Sequence, residues 1–387
     1  MKNNELTIVL TLKGRHLHTL RWLWHANFTY LPYQIIIADG EVHPTIDRLL
    51  SNPASFPNLR YEYHRYEDRN VKDYYFKRYD ALGKVKTPYV MMADNDDFLL
   101  PFGINKAVAF LNESPDYVCA GGGIPGFSMV AQPSEICNVI GSLRRFSYRY
   151  VSNQWYQCRD LDDESVSARV IKEIRNPLAV HYNVYRTQSI RVISGEVLEH
   201  NPSLRFCEMY SAMRTVTLGK VKSDPSYFTY LRQQGSSQYL GYSNDLIDDL
   251  LRSSLAENFK IMATKVASEA ACSDGCNPIE IQDQIFDAFA DQLRLTLANT
   301  MLRYRFPRLF ALKQQFLETM PKLHLIPNAL QYRLDLAKIW RQLESDCADR
   351  NTIAAHVAEL RDVSATLEGD SFFKFISLNA TDLLATP

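Results

Sequence analysis

The chain has 387 residues, with 43 Lys and Arg against 44 Asp and Glu, a formal net charge of −1 and 46% hydrophobic residues. That length exceeds the usual single domain and can fill a sizeable core, while the near-neutral balance excludes nucleic-acid binding driven by bulk charge. No run of about 18 apolar residues is present, and Met1 to Glu5 lead into a strand pattern rather than a signal peptide, so a soluble cytosolic protein with no transmembrane segment is expected.

The first predicted strand is Leu6-Thr7-Ile8-Val9-Leu10-Thr11-Leu12, followed by Leu17, Leu20, Leu23 and Trp24 at helical spacing. Gln34 to Ala38 forms a second strand that stops at Asp39-Gly40. Tyr61 to Tyr66 alternates as a third strand, and a helix rich in Tyr, Lys and Arg follows from about Val71 to Val85. Tyr89 to Ala93 is the fourth. Strands alternating with helices predict a parallel, doubly wound α/β sheet, in which ligands gather beyond the carboxyl ends of the strands. Polar residues bunch at those ends: Thr11, Lys13 and Arg15 after the first, Asp39 after the second, and Asp94-Asn95-Asp96-Asp97 after the fourth.

Three carboxylates within four residues repel one another unless a cation, protons or donors offset them. As hard oxygen ligands they suit Mg²⁺ or Mn²⁺. The competing reading is an acidic turn in which Asp97 caps the helix opening near Pro101 and Asp39 merely caps a turn with Gly40.

Further along, Ala120-Gly121-Gly122-Gly123-Ile124-Pro125-Gly126 follows a short strand, Tyr117-Val118-Cys119. It lacks the spacing of a dinucleotide fingerprint or a P-loop and reads as a flexible loop. Residues 142–156 carry Arg144, Arg145, Arg149 and five aromatics, Trp155 among them, a composition that suits either sugar and phosphate contact or a strand-rich structural segment. Ala179 to Arg186 alternates like a strand, with His181 either a ligand or a core histidine. From about Asn244 the pattern turns helical. Leu246, Ile247, Leu250, Leu251, Leu255 and Phe259 recur at three- and four-residue spacing, as do Ile281, Ile285, Phe286, Phe289, Leu293 and Leu297, and further helices are predicted over 307–320, 331–349 and 352–367. Arg303 to Arg308 is a basic and aromatic cluster that could touch anionic lipid or simply end a helix. The seven cysteines are scattered and odd in number, which fits reduced thiols.

The segments Asp39-Gly40, Tyr79-Asp80-Ala81-Leu82, Thr87-Pro88-Tyr89-Val90 and Ala93-Asp94-Asn95-Asp96-Asp97-Phe98, with Pro101 after them, resemble the nucleotide-binding half of GT-A glycosyltransferases. The likeness is to the family 2 type, and within it to a bacterial branch of glycosyltransferases. It covers residues 5 to about 120, is patchy to about 235, and stops there. At the first strand only Arg15 of the family's usual Pro-Thr-Tyr-Asn-Arg-like segment is kept. The resemblance implies a GT-A domain over 1–240, with a nucleotide-binding half over 1–120 and an acceptor half over 121–240; the helical periodicity that follows predicts a helical C-terminal domain or extension over 241–387.

The resemblance also implies residue roles. Asp39 would hold the nucleotide base, Asp94 the ribose or a metal water, and Asp96 the Mn²⁺ or Mg²⁺ ion directly. Thr11, Lys13, Arg15, Lys77, Arg78, Asp80 and Arg232 would line the nucleotide and its diphosphate; Asp97, Trp155 and His181 would face the acceptor. Inverting transfer needs a carboxylate to take the acceptor's proton, and Leu204 to Tyr210 resembles the branch's Phe-X-Glu segment, so Glu208 is the expected base, with Glu196 and Glu199 as rivals. The family's Gln-X-X-Arg-Trp signature of processive synthases is absent, which implies single addition. The expected partners are a nucleotide-sugar donor, with UDP as the nucleotide, and a glycan or lipid-linked glycan acceptor, reached in the cytoplasm or at the inner face of the plasma membrane. The alternatives are a sugar nucleotidyltransferase, for which Lys13-Gly14-Arg15 is a poor loop, and a non-catalytic glycan- or nucleotide-binding protein of the same fold.

Overall fold

The computed structural model describes residues 5–129, 148–151, 158–178, 180–199, 204–234, 255–305, 341, 343–346, 348–368 and 370–380. Trp155, Arg144, Arg145, the predicted helix over 307–320 and most of the one over 331–349 lie outside them.

Strand β1 (Leu6–Leu12) is buried along its whole length and lies between β2 (Gln34–Asp39) and β4 (Tyr89–Asp94), parallel to both. With β3 (Arg60–Arg65), β6 (Tyr117–Gly123), β9 (Val184–Arg186) and β10 (Lys220–Phe228) it forms a seven-stranded sheet in the order β10-β6-β9-β4-β1-β2-β3. The order in which strands are added reverses at β1, with β2 and β3 on one side and β4 on the other, and this is the switch point at which an open α/β sheet leaves a crevice. Thr11 stands opposite Asp94 there, and Leu12 opposite Asp39. β9 alone runs antiparallel, wedged between β4 and β6.

The apolar strands are two-sided, as a sheet covered on both faces requires. Ile8, Leu10, Ile35, Ile37, Met91 and Ala93 point to one face, under α1 (His16–Phe28), α2 (Pro44–Leu50) and α4 (Pro101–Glu113). Val9, Ile36, Val90 and Met92 point to the other, under α3 (Val71–Lys84), α5 (Val166–Arg175), α6 (Thr187–Glu199) and α7 (Leu204–Leu218). Burying each such aliphatic side chain contributes roughly 1.5–3 kcal/mol.

The later helices are built into these same cores. α8 (Leu255–Asp274) and α9 (Pro278–Arg305) pack with α5 and α7, through Phe259, Met262, Val266, Ile281 and Ile285. α10 (Arg350–Glu368) covers a third cluster, in which Ile353, Leu360, Val363 and Leu367 meet Phe98, Phe127, Phe228 and Leu231. α11 (Asp370–Asn379) lays Phe372 against Trp24, with ring centroids 5.6 Å apart.

Two local expectations are corrected. Gly121, Gly122 and Gly123 belong to β6 rather than to a flexible loop. A Cβ on Gly121 would lie 2.0 Å from Asn183 Oδ1, and one on Gly122 2.3 Å from the Tyr227 carbonyl, so close packing demands glycine. The stretch around His181 is a single 3₁₀ turn, Val180–Tyr182, with only Val184–Arg186 in the strand.

Candidate active site

The loop that leaves β4 runs through Asp94, Asn95, Asp96 and Asp97 into the two-residue strand β5 (Phe98–Leu99). Asp94 is half-buried, and Asp96 and Asp97 are buried. The three residues offer carboxylate oxygens that all lie within 4.8 Å of one another. Burial and the neighbouring Asp96 push Asp94 up, while Arg78, Arg15 and Arg232 pull it back. Asp97 is pushed well above the usual carboxylate range by burial and by the other two acids.

Asp97 does not cap α4. Its Oδ1 accepts at 2.6 Å from the Gln233 N–H of β11 (Tyr230–Gln234), a strand that pairs antiparallel with β5 and parallel with β7 (Gly126–Met129). The α4 N-terminus is served from a distance: the Phe102 N–H donates to Glu359 Oε1 of α10 at 2.7 Å. Glu359 is itself held by His356, whose Nε2 accepts from the Phe228 N–H. Thus β5, β11 and α10 together fix the acidic loop from behind.

Beneath the loop lies Arg21, 4% exposed on α1. Its Nη2 donates to the Asp96 carbonyl at 2.6 Å and to Gln233 Oε1 at 2.8 Å, and the guanidinium lies over the Phe98 and Phe127 rings. Burial pushes this arginine down to about 10 even with Asp96 and Asp97 beside it. Asn95 completes the inner layer by donating to Thr19.

In front stands Arg15. Gly14 and Arg15 both have positive φ, 58° and 48°, and Arg15 is the N-cap of α1 without a side-chain capping bond. A left-handed non-glycine residue costs roughly 1–2 kcal/mol. The geometry aims its guanidinium at the acids: Nη1 lies 2.6 Å from Asp96 Oδ2, with a quarter of the arginine side chain exposed.

The base of the crevice is a second charged group. Lys77 of α3 is fully buried, donating to the Leu12 carbonyl at 2.8 Å and to Asp68 Oδ2 at 2.5 Å, and Lys13 reaches the other Asp68 oxygen at 3.3 Å. Gly40 packs directly against this pair, since a Cβ there would lie 2.4 Å from Asp68 Cβ and 2.8 Å from Lys77 Nζ. Asp39 accepts from the Tyr63 hydroxyl and, as a turn-former would, from the Glu41 N–H. Asp80 is bound by Tyr66 and Lys84 rather than by the crevice cations.

Arg78 lies one residue beyond Lys77, over the rings of Tyr74 and Tyr75, and its Nη2 donates to His181 Nδ1 at 3.2 Å. Burial, with Arg78 adding to it, pushes His181 down to about 3, so it is a neutral acceptor that positions an arginine. Arg232 of β11 stacks over Tyr182 at 5.5 Å. Glu208 is exposed on α7. After burial, Tyr182 is pushed up by Asp94, Asp97, Asp96 and Glu208 together. Its rival Glu196 is taken up elsewhere, bonded to Arg214, Lys265 and Tyr210, and Glu199 is exposed at the end of α6.

Arg21, Gln233, Asp68, Tyr63, Tyr182 and Tyr230, whose hydroxyl accepts from the Asp94 N–H at 3.0 Å, escaped the sequence reading. Asp68 carried a usable signal, because it follows the third strand as Asp39 and Asp94 follow theirs.

No family model and no curated protein matches the chain. Among solved structures it is similar to S. aureus TarS 1-349, with 11% identity over 94% of this chain and 90% of that one and a TM-score of 0.48. A second structure, S. aureus TarS 1-349 in complex with UDP-GlcNAc, shows 14% identity over 94% and 89%, with a TM-score of 0.45. Likeness at this level says nothing of what the present chain binds.

Proposed function

We propose that this chain is a metal-dependent glycosyltransferase of the GT-A type, moving a sugar with inversion from a nucleotide-sugar, a UDP-sugar as the donor we favour, to a bacterial surface-glycan acceptor. The single observation that supports this reading best is the cluster of three carboxylates at the switch point of a doubly wound sheet, ringed by Arg15, Arg78 and Arg232. Its oxygen donors are the hard set that Mn²⁺ or Mg²⁺ prefers, and Asp96 and Asp94 would hold the ion. When bound, that ion would neutralise charge on the departing diphosphate as a Lewis acid.

The remaining work falls to the chain's own side chains. Asp39, with Tyr63 orienting one of its oxygens, would receive the base, and Thr11, Lys13 and Lys77 would line the nucleotide. Arg78 and Arg232 are stacked on tyrosines, and with their forks held in this way they would receive the diphosphate. Glu208 would take the proton from the acceptor hydroxyl. No helix among the described residues is long and apolar enough to cross a membrane. Action in the cytoplasm, with contact at the inner membrane face, is part of the proposal.

The test is a thermal-shift screen of UDP, GDP and ADP with and without Mn²⁺, since a ligand selective for the native state raises apparent stability by mass action. The reading expects UDP to act together with Mn²⁺ and Asp96→Ala to abolish the metal's contribution while the protein still folds. Equal shifts with and without metal would refute metal dependence. Release of UDP from UDP-sugars then separates an enzyme from a binder.

A further inference from the structure

We infer that Arg15 is a built-in counter-ion that occupies the Asp96 carboxylate until a divalent cation displaces it, and that it then turns onto the diphosphate. This deepens the glycosyltransferase reading above and rests on it. The argument starts from the backbone. A helix would ordinarily begin with Ser, Thr, Asp or Asn at its N-cap. Here the position holds an arginine in the left-handed region, directly after a left-handed glycine. The carbonyl of Arg15 accepts the first bond of α1 from the Thr19 N–H at 3.1 Å, so the backbone is committed while the side chain is not needed for capping. Strain of this kind persists where surrounding contacts over-determine it, and it gathers at functional sites.

The side chain spans from β1 to the β4 loop and places Nη1 2.6 Å from Asp96 Oδ2. Asp96 is also gripped from below, where its carbonyl accepts from Arg21. The loop therefore stays in place when Arg15 leaves. The two arginines differ in access: Arg21 is 4% exposed, whereas the Arg15 side chain is 25% exposed and the carboxylate it covers 10% exposed. Arg15 is the layer that an incoming ligand meets first. A guanidinium stays charged throughout, so leaving Asp96 requires another partner, and a diphosphate arriving at the crevice offers bidentate acceptors. Metal and arginine thus compete for one carboxylate when the nucleotide is absent, and cooperate once it is bound.

The experiment measures Mn²⁺ binding by calorimetry to the full chain without nucleotide, and UDP binding at saturating Mn²⁺, in the wild type, Arg15→Gln, Arg15→Gly and Asp96→Asn. Arg15→Gly accommodates the left-handed backbone, so it guards against misfolding of the glutamine variant. The expected result is Mn²⁺ affinity raised about tenfold in both Arg15 variants, with UDP affinity at saturating Mn²⁺ lowered by a similar factor, a size ordinary for coupling between two sites. Mn²⁺ affinity unchanged or weakened in both variants overturns the inference, as does unchanged UDP affinity. If Asp96→Asn binds Mn²⁺ as the wild type does, the metal reading itself falls, a result distinguishable because it does not involve Arg15.

Discussion

Replacing Arg21 with methionine tests whether the acidic loop is held from beneath. The substitution removes the donor to two buried acceptors, the Asp96 carbonyl and Gln233 Oε1. Each acceptor left unsatisfied costs about 1–3 kcal/mol. The stacking on Phe98 and Phe127 adds about 0.5–2 kcal/mol to the loss. Against this stands relief from burying a guanidinium, whose Nε has no hydrogen-bond partner among the described residues. Removing one member of a buried charged set usually costs about 3–5 kcal/mol, and the same range is expected here. Urea unfolding followed by tryptophan fluorescence should show a lower midpoint with an unchanged slope. Combining Arg21→Met with Gln233→Leu should cost about 1 kcal/mol less than the sum of the two, because both remove the same bond. A loss below about 1 kcal/mol for Arg21→Met alone would refute the claim that the loop depends on this cation.

Glu208→Gln should lower turnover by roughly 10²–10⁴-fold while leaving UDP affinity unchanged, and steady-state kinetics with direct UDP titration separates the two. A loss of UDP binding would reassign Glu208 to holding the nucleotide. Gly40→Ala should weaken UDP binding and cost about 1–3 kcal/mol in urea unfolding, since the added methyl meets Asp68 and Lys77; wild-type behaviour in both assays would contradict the packing. Glu173 of α5 is 1% exposed, with one oxygen accepting from the Leu178 N–H, and burial pushes it up to about 8. The native state then holds a proton that the unfolded chain has released, so stability should fall as pH rises from the ordinary glutamate value to about 8, and Glu173→Gln should remove that slope from melting temperatures taken between pH 5 and 9.

What could be read from the sequence depended on how local the determining contacts are. β1, β2 and β4 were legible because a continuous apolar run bounded by polar residues has few other uses, and their bounds, like those of the Tyr-, Lys- and Arg-rich helix α3, differ from the expected ones by a residue at most. The sheet of β5, β11, β7 and β8 (Tyr148–Val151) was not, because strands of two to five residues joined across more than a hundred positions leave no period to detect. Helix α1 shows a subtler failure. Leu17, Leu20, Leu23 and Trp24 look like its inward stripe, yet Leu17 and Trp24 are only half-buried while His18, Arg21 and His25 are buried. The reason lies more than three hundred residues away: α10 and α11 cover the far side of α1, where His25 bonds Thr366 and Trp24 meets Phe372.

That covering explains how the site tolerates its own charge. Three acids sharing 4.8 Å would drive one another toward protonation in a dry pocket. The fold answers with cations from three separate elements: Arg15 at the N-cap of α1 and Arg21 within it, Arg78 from α3 and Arg232 from β11. Of these, Arg21 can be buried only because α10 closes the layer behind it with Leu360, Val363 and Leu367 packed on Phe98 and Phe127. The motif alone shows only the repulsion. The arginine that answers it from beneath sits on a helix that local periodicity reads as apolar, and what keeps it dry is the last part of the chain.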